Sequence, residues 1–255
     1  MATFSDAAAT HPTYEAVCPQ CEGAGYYKEA VPFGHPHFGV LFPCECKLRE
    51  KELRRVEELD RMSNLELLRD KTFETFVPDV PGVRRAYLRA LDYAKRPQGW
   101  LVLFGNYGVG KTHLAAAIAN YALKRQMQVL FTIVPDLLDH LRSTFGPSSE
   151  IQYDDRFELI RTVPLLILDD LGTENTTPWA REKLFQIMNY RYNDALPTVI
   201  TSNRKPEDID PRIFSRMSDR ALCEEHIIID ANDYRRLTIQ QRYPFNGNAR
   251  RRMPG

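Results

Sequence analysis

The run Gly105-Asn106-Tyr107-Gly108-Val109-Gly110-Lys111-Thr112 has the spacing G-x-x-x-x-G-K-[ST], a pattern suited to holding a polyphosphate. Its glycines let the backbone curl until several N–H groups converge on phosphate oxygens, at the positive end of the helix that follows. Lys111 brings a point charge for the β- and γ-phosphates, and the Thr112 hydroxyl is placed to ligate Mg²⁺. With His113 next in line, residues 105–113 form the candidate nucleotide-contacting run. A second acidic motif, Leu165-Leu166-Ile167-Leu168-Asp169-Asp170, reads as an apolar strand carrying two carboxylates to the carboxyl edge of a sheet, where open α/β sheets bind ligands. Asp169 is expected to hold Mg²⁺, and Asp170 to polarise an attacking water. A third polar group, Asn203, ends the run Val199-Ile200-Thr201-Ser202 and is a candidate to orient that water or to read the γ-phosphate; a turn-forming role is its plainer alternative.

A separate chemistry sits near the start. Cys18-x-x-Cys21 and Cys44-x-Cys46 are two tight thiol pairs, the first inside Cys18-Pro19-Gln20-Cys21-Glu22-Gly23-Ala24-Gly25. In a chain expected to be cytoplasmic, such pairs favour a tetrahedral Zn²⁺ site over disulfides, with His35 and His37 as fallback ligands. Cys223 stands alone before an apolar run and reads as a small core residue.

The elements that must position these groups follow from hydrophobic pattern. Trp100–Phe104, Val129–Val134, Leu165–Leu168, Val199–Ser202 and Ile227–Ile229 read as buried strands, and Thr112–Lys124 and Arg181–Tyr192 as the clearest helices. Alternating strands and helices imply an α/β fold with a mostly parallel sheet covered on both faces. Gly146–Glu150 reads as a loop. Ahead of this region, 47–70 reads as a charged helix whose narrow stripe (Leu48, Leu53, Val56, Leu59) suits either a partner-binding seam or a solvated connector braced by ion pairs. The expected organisation is therefore 1–46 as a zinc module, 47–70 as a linker helix, 71–240 as the nucleotide domain and 241–255 as a basic tail.

Composition sets the outer bounds. The chain has 255 residues, 43% of them hydrophobic, with 34 basic and 34 acidic side chains, enough apolar content for a real core and too much for global disorder. No run reaches the ~20 apolar residues a membrane span needs, and Met1–Thr10 lacks the pattern of a signal peptide, so no membrane partner is expected. Zero net charge leaves nucleic acid open, because Arg235, Arg236, Arg242, Arg250, Arg251 and Arg252 fall in a stretch from Tyr234 onward with no acid; this is either a phosphate-facing tail or a solvated terminus.

Taken together, the motifs resemble the helicase-loader branch of the AAA+ ATPases, the DnaC/DnaI type that also includes IstB. The resemblance runs from about Asp70 to Arg236 and rests on Lys71-Thr72-Phe73-Glu74-Thr75-Phe76, the phosphate loop, Asp169-Asp170-Leu171-Gly172-Thr173-Glu174, the segments 184–193 and 196–203, and Ile213-Phe214-Ser215-Arg216-Met217. It implies an AAA+ P-loop ATPase domain with Walker A at Lys111 and Thr112, Walker B at Asp169 and Asp170, and Asn203 as sensor 1. By the same resemblance, Arg216 is an arginine finger reaching the nucleotide of a neighbouring copy, and Arg235 is sensor 2, with Arg236 as a register alternative. Guanidinium suits both posts, being always charged and forked. Many AAA+ proteins carry Glu where Asp170 stands; the shorter carboxylate suits slow, switch-like hydrolysis, and Glu174 is a nearby acid. Loaders of the DnaI type resemble the cysteine arrangement too. The resemblance implies an ATP- and Mg²⁺-dependent replication factor, oligomeric through the finger, that binds the replicative DNA helicase through its N-terminal module and places it on single-stranded DNA, with Arg142–Arg161 as the DNA-facing stretch. The alternative is an IstB-like transposition helper that assembles on DNA and activates a transposase; a nucleotide-binding adaptor without turnover is a third reading.

Overall fold

The computed structural model describes residues 17–143, 150–173 and 177–242. Expectations placed on Met1–Thr10, on the loop at 146–149, on Glu174 and on the arginines beyond 242 lie outside the described residues. Chain contacts divide the protein into two units, Met1–Val56 and Glu57–Gly255.

In the first unit, β1 (Tyr26–Lys28) and β2 (Leu41–Pro43) form a short antiparallel hairpin. Helix α1 (Glu45–Met62) follows, and the unit boundary falls within it. The helix starts earlier than its charge pattern suggests and stops well before residue 70. It stops because Asn64 is pinned to a strand of the second unit: its N–H donates to Phe131 O (2.9 Å), its side-chain Oδ1 accepts from Ile133 N–H (3.1 Å), and its Nδ2 donates to Asp136 (3.0 Å). A single 3₁₀ turn at Leu65–Leu68 completes the segment. The apolar stripe divides accordingly, with Leu59 and Met62 buried and Leu48, Leu53 and Val56 exposed.

The second unit is a three-layer α/β fold. In chain order it contains α2 (Arg84–Lys95), β3 (Trp100–Gly105), α3 (Lys111–Lys124), β4 (Val129–Ile133), α4 (Val134–Ser143), α5 (Glu150–Thr162), β5 (Leu165–Leu171), α6 (Pro178–Asn193), β6 (Thr198–Ser202), α7 (Pro211–Met217), β7 (His226–Ile229) and α8 (Ile239–Arg242). The five strands of this sheet are all parallel, in the order β4-β5-β6-β3-β7. Val134, expected to end a strand, instead opens α4, because Pro135 in the first turn has its φ preset for a helix and needs no N–H partner there.

The period-2 geometry of strands divides the apolar side chains cleanly. Trp100, Val102 and Phe104 join Leu166, Leu168 and Ile200 on the face covered by α4–α7, while Leu101, Leu103, Ile167 and Val199 join the face covered by α2 and α3. Both faces are buried, so the strands are near-continuous apolar runs, as parallel sheets require. Helix α3 is alanine-rich on its buried side (Ala115, Ala116, Ala117, Ala119, Ala122), which lets its backbone lie close to the sheet and carries its first residues to the strand ends. Cys223 is a buried core residue. Arg191 is fully buried, and among the described residues its partners are neutral: Nε donates to Thr198 Oγ1 (2.9 Å), Nη1 to the carbonyls of Arg161 (3.0 Å) and Val163 (2.8 Å), and Nη2 to that of Pro197 (2.6 Å). It ties the end of α5 to the starts of β5 and β6. Among the described residues no helix is long and apolar enough to cross a membrane.

Candidate nucleotide site and cysteine cluster

The phosphate loop leaves β3 at Gly105 and enters α3 at Lys111. Two of its glycines are sterically required. Gly108 has φ +73°, and a Cβ there would lie 1.8 Å from the Asp233 carboxylate; Gly110, the N-cap of α3 at φ +95°, faces the Phe76 ring, 2.8 Å from where a Cβ would sit. Tyr234 N–H also donates to Gly108 O (3.0 Å), so the segment after β7 is fastened over the loop.

Lys111 is buried and donates to the carbonyls of Gly105 (2.9 Å) and Asn106 (2.8 Å) and to Asn203 Oδ1. Asn203 in turn donates through Nδ2 to Asp170 Oδ1. Strand order explains the contact: β6 lies between the strand that carries the loop and the strand that carries the acids, so its end faces both. The Thr112 hydroxyl donates to Asp169 at 3.0 and 3.2 Å, and Thr201 Oγ1 donates to Asp169 at 2.6 Å while accepting the Asp170 N–H at 2.9 Å. Asp170 occupies the left-handed region (φ +63°) within a register shift between Leu168 and Leu171. Asp tolerates that conformation better than most residues, and the irregular backbone turns its carboxylate to Asn203.

Burial dominates the electrostatics. It pushes the Asp169 carboxyl above its ordinary value, opposed by the hydrogen bonds from Thr201 and Thr112. It lowers the Lys111 ammonium, opposed by Asp170 and Asp169. The cation therefore rests on neutral carbonyls, with the acids nearby and, among the described residues, no carboxylate bonded to it, which is the charge state a phosphate would complete.

A cleft of about 710 Å³ extends from these groups. Its polar end holds Lys111, Thr112, Asp169, Asp170 and Asn203; its apolar end is lined by Phe76, Val77, Val80 and Val83. Tyr107, Gly108, Val109, Gly110, His113, Asn232, Tyr234 and Arg235 also line it. Gly105 and Asn106 frame the cleft through their carbonyls to Lys111. The His113 ring turns to the segment before β3, with Nε2 2.9 Å from Thr72 O and 3.2 Å from Thr75 Oγ1, and burial lowers its pKa. Arg235 lines the cleft and Arg236 does not, although both side chains are largely exposed (77% and 89%) and both lie within 4 Å of the Asp233 carboxylate. Arg216 lies apart from this cleft, on α7, against the side of α6 that carries Phe185 and Asn189.

Thr201 and the apolar end were missed from sequence. Thr201 carried no distinct signal, because Ser202 and Asn203 beside it are polar as well; its place between the two acids follows from the pairing of β5 with β6. The wall Phe76–Val83 had none, because its place depends on how a loop returns across the sheet edge.

The four cysteines converge as expected. Cys18 and Cys21 lie in a turn closed by Glu22 N–H to Cys18 O (2.8 Å), while Cys44 and Cys46 come from the end of the hairpin and the first turn of α1. All four Sγ atoms lie within 4.8 Å of one another, with Cys18–Cys44 at 3.6 Å and Cys21–Cys46 at 3.4 Å. A tetrahedron of sulfurs at the Zn–S bond length has edges of about 3.8 Å, so the cluster fits the ion closely. Backbone N–H groups of Gln20, then Cys21, bring the Cys18 thiol down to about 7, while hydrogen bonding to Cys21 and burial push Cys46 up to about 12, so the clustered thiols share protons that a bound cation would displace. His35 and His37 stay outside the cluster; His37 Nδ1 pairs with Glu29 Oε2 at 2.6 Å.

Comparison with known proteins sets this geometry among relatives. The family model described as IstB-like ATP binding protein matches residues 38–242. The replicative helicase loader DnaI of Bacillus subtilis is 26% identical over 195 residues, covering 72% of this chain and 61% of that protein. The replicative helicase loader DnaC of Escherichia coli K12 is 28% identical over 179 residues, covering 68% and 71% respectively. The crystal structure of the DnaC helicase loader superposes with a TM-score of 0.55 at 25% identity, covering 63% of this chain and 97% of that one. The chain thus spans about three fifths of the length of the DnaI relative.

Proposed function

Because the chain belongs to the family of IstB-like ATP-binding proteins, we propose that it is an ATPase of the helicase-loader kind, which binds a replicative DNA helicase and places it on single-stranded DNA as ATP is bound and hydrolysed. The observation that carries the reading is the Lys111–Asn203–Asp170 chain beside the Thr112–Asp169 pair. One polar network joins every group needed to hold a polyphosphate and to activate water.

The cleft divides the nucleotide by chemistry. The Phe76–Val83 end takes the base, the loop N–H groups and Lys111 take the phosphates, and Arg235 reaches toward them from the rim. Thr112 and Asp169 would hold Mg²⁺, and Thr201 keeps the Asp169 carboxylate turned to that position. When bound, the ion neutralises charge developing on the phosphate oxygens. Asp170 orients the attacking water and accepts its proton. Asn203 gives up Lys111 to the phosphates while keeping Asp170, so γ-phosphate occupancy is registered at the acid. Arg216 completes the pocket of an adjacent copy, which makes the active form an oligomer.

In the first unit, Cys18, Cys21, Cys44 and Cys46 hold Zn²⁺ and present a docking surface to the helicase, extended by the exposed stripe Leu48, Leu53 and Val56. The Arg142–Arg161 flank contacts the strand. The second reading, a transposition helper acting on a transposase, draws support from the family description itself. Co-purification of the tagged full chain against the replicative helicase and against transposases, with and without ATP, separates the two. Nucleotide-dependent helicase capture, lost in Lys111→Ala, is expected; capture of the transposase alone would replace the loader reading. Absence of turnover with ATP, DNA and partner all present would reduce the protein to an adaptor.

A further inference from the structure

Resting on the reading of Arg216 as a finger toward a neighbouring copy, we infer that Asn189 and Phe185 are positioning residues that hold this guanidinium ready before the neighbour arrives. They lie four residues apart on α6 and so share one face of the helix, the face against which α7 packs. Asn189 Oδ1 accepts from both Nε (2.9 Å) and Nη2 (2.5 Å) of Arg216, and Nη1 donates to Arg212 O at 2.8 Å. The guanidinium stands 4.6 Å from the centre of the Phe185 ring and 5.6 Å from that of Tyr192. Tyr192 is itself fixed through its hydroxyl to Asp219 at 2.5 Å.

What distinguishes this cradle is the chemistry of its acceptors. Arg212, one turn earlier on α7, shares the Phe185 ring at 4.2 Å, but Glu182 (3.2 Å) and Asp210 (3.3 Å) neutralise it. Arg216 is held by an amide, a carbonyl and aromatic faces; among the described residues no carboxylate pairs with it. An amide fixes the fork of the guanidinium without cancelling its charge, and an aromatic face adds attraction while excluding water. A long side chain held this way meets an incoming phosphate with its charge intact and its rotamer already chosen, so little ordering entropy is lost on contact. Of the two arginines on the Phe185 ring, Arg216 is therefore the one with charge to give, and Asn189 is what keeps it so.

The decisive variants are Asn189→Ala, which releases the fork, and Asn189→Asp, which keeps the shape but adds a neutralising carboxylate. A purely structural role for Asn189 predicts that Asp is tolerated better than Ala; the positioning role predicts the reverse. With the full chain, Mg²⁺-ATP and single-stranded DNA, Asn189→Ala is expected to lower kcat on the order of 10- to 100-fold with KM for ATP unchanged. Asn189→Asp is expected to fall further, toward Arg216→Ala, while its thermal unfolding stays at the wild-type midpoint. Each variant is then mixed with Asp170→Asn, which lacks turnover in its own site but carries an intact finger. Mixing is expected to restore turnover for Arg216→Ala and for both Asn189 variants. Failure of Arg216→Ala to be restored would overturn the finger reading and the inference with it. Restoration of Arg216→Ala alongside undiminished kcat in Asn189→Asp would overturn the inference alone.

Discussion

From Val17 to Val56 the buried residues are Cys21, Gly25 and Cys44, so the interior of the first unit is made of sulfur and backbone. From residue 57 onward the interior is two apolar layers on either face of a parallel sheet, with Leu103, Leu114, Ile118, Phe131 and Ile167 all out of solvent. A stretch of about forty residues without an apolar core does not fold on hydrophobic burial, whereas the sheet unit needs nothing else. The difference teaches where each unit's order originates: the second from excluded water, the first, on the zinc proposal, from coordination at the four clustered thiols. Polar groups serve opposite ends in the two. The thiols of the first unit are its framework, while Lys111 and Asp169 in the second are buried at a cost the apolar layers offset, which leaves them ready for charge partners from outside.

Metal removal should break the comparison open most widely. Cys18→Ser, or a strong chelator, is expected to abolish protection of 17–56 in hydrogen exchange while leaving β3–β7 protected, since a structural zinc site contributes about 10 kcal/mol or more of folding energy. Equal loss in both units, or zinc absent from protein purified without chelator, would mean that the first unit is held by something else. Next comes a change confined to the sheet unit. Arg191→Ala takes the donor from the Arg161 and Val163 carbonyls in the interior and one of two partners from Thr198 Oγ1 and Pro197 O, and about 3–5 kcal/mol of that unit's stability should go with it, read by denaturant unfolding. Burial pushes the Arg191 guanidinium below its ordinary value, but Nε, Nη1 and Nη2 all donate to oxygens, which keeps the charged form in place.

The smallest effect carries the opposite sign. Burial raises Asp169, so between its unfolded value near 3.8 and its higher folded value the native state holds the extra proton, and stability falls as pH rises through that window. Asp169→Asn removes the cost of the buried carboxylate. The nucleotide-free protein should therefore melt at the same temperature or a few degrees higher at neutral pH, while Mg²⁺-dependent ATP affinity, measured by titration, drops sharply. A lower melting temperature would show that Asp169 is chiefly a structural acceptor for Thr112 and Thr201.

Much of this was legible in the residues because the relevant physics is local. A parallel strand buried on both faces must be a continuous apolar run, so Trp100–Phe104 and Leu165–Leu168 announced themselves, although β5 runs on through Asp169 and Asp170 to Leu171 rather than ending at the acids. The close spacing within Cys18–Cys21 and Cys44–Cys46 marked two thiol pairs before any coordinates, and the fold brings their four sulfurs together. The end of α1 was misplaced for a nonlocal reason, since it falls where Asn64 finds backbone partners on β4, whereas β4 ends early for a local one, Pro135 starting a helix within an apolar run. Charge periodicity alone carries no trace of the first.

The sequence by itself determined which groups can bind phosphate, carry a metal or activate water, since those properties belong to side chains and to spacings within a single turn. Only the tertiary structure decided that Asn203 joins Lys111 to Asp170, that Thr201 holds the Asp169 carboxylate and the Asp170 backbone, and that Asn189 rather than a carboxylate receives Arg216. Each of those contacts depends on strand order or on the packing of one helix against another, and such neighbours are chosen by burial of the whole sheet, a property no short stretch of chain encodes.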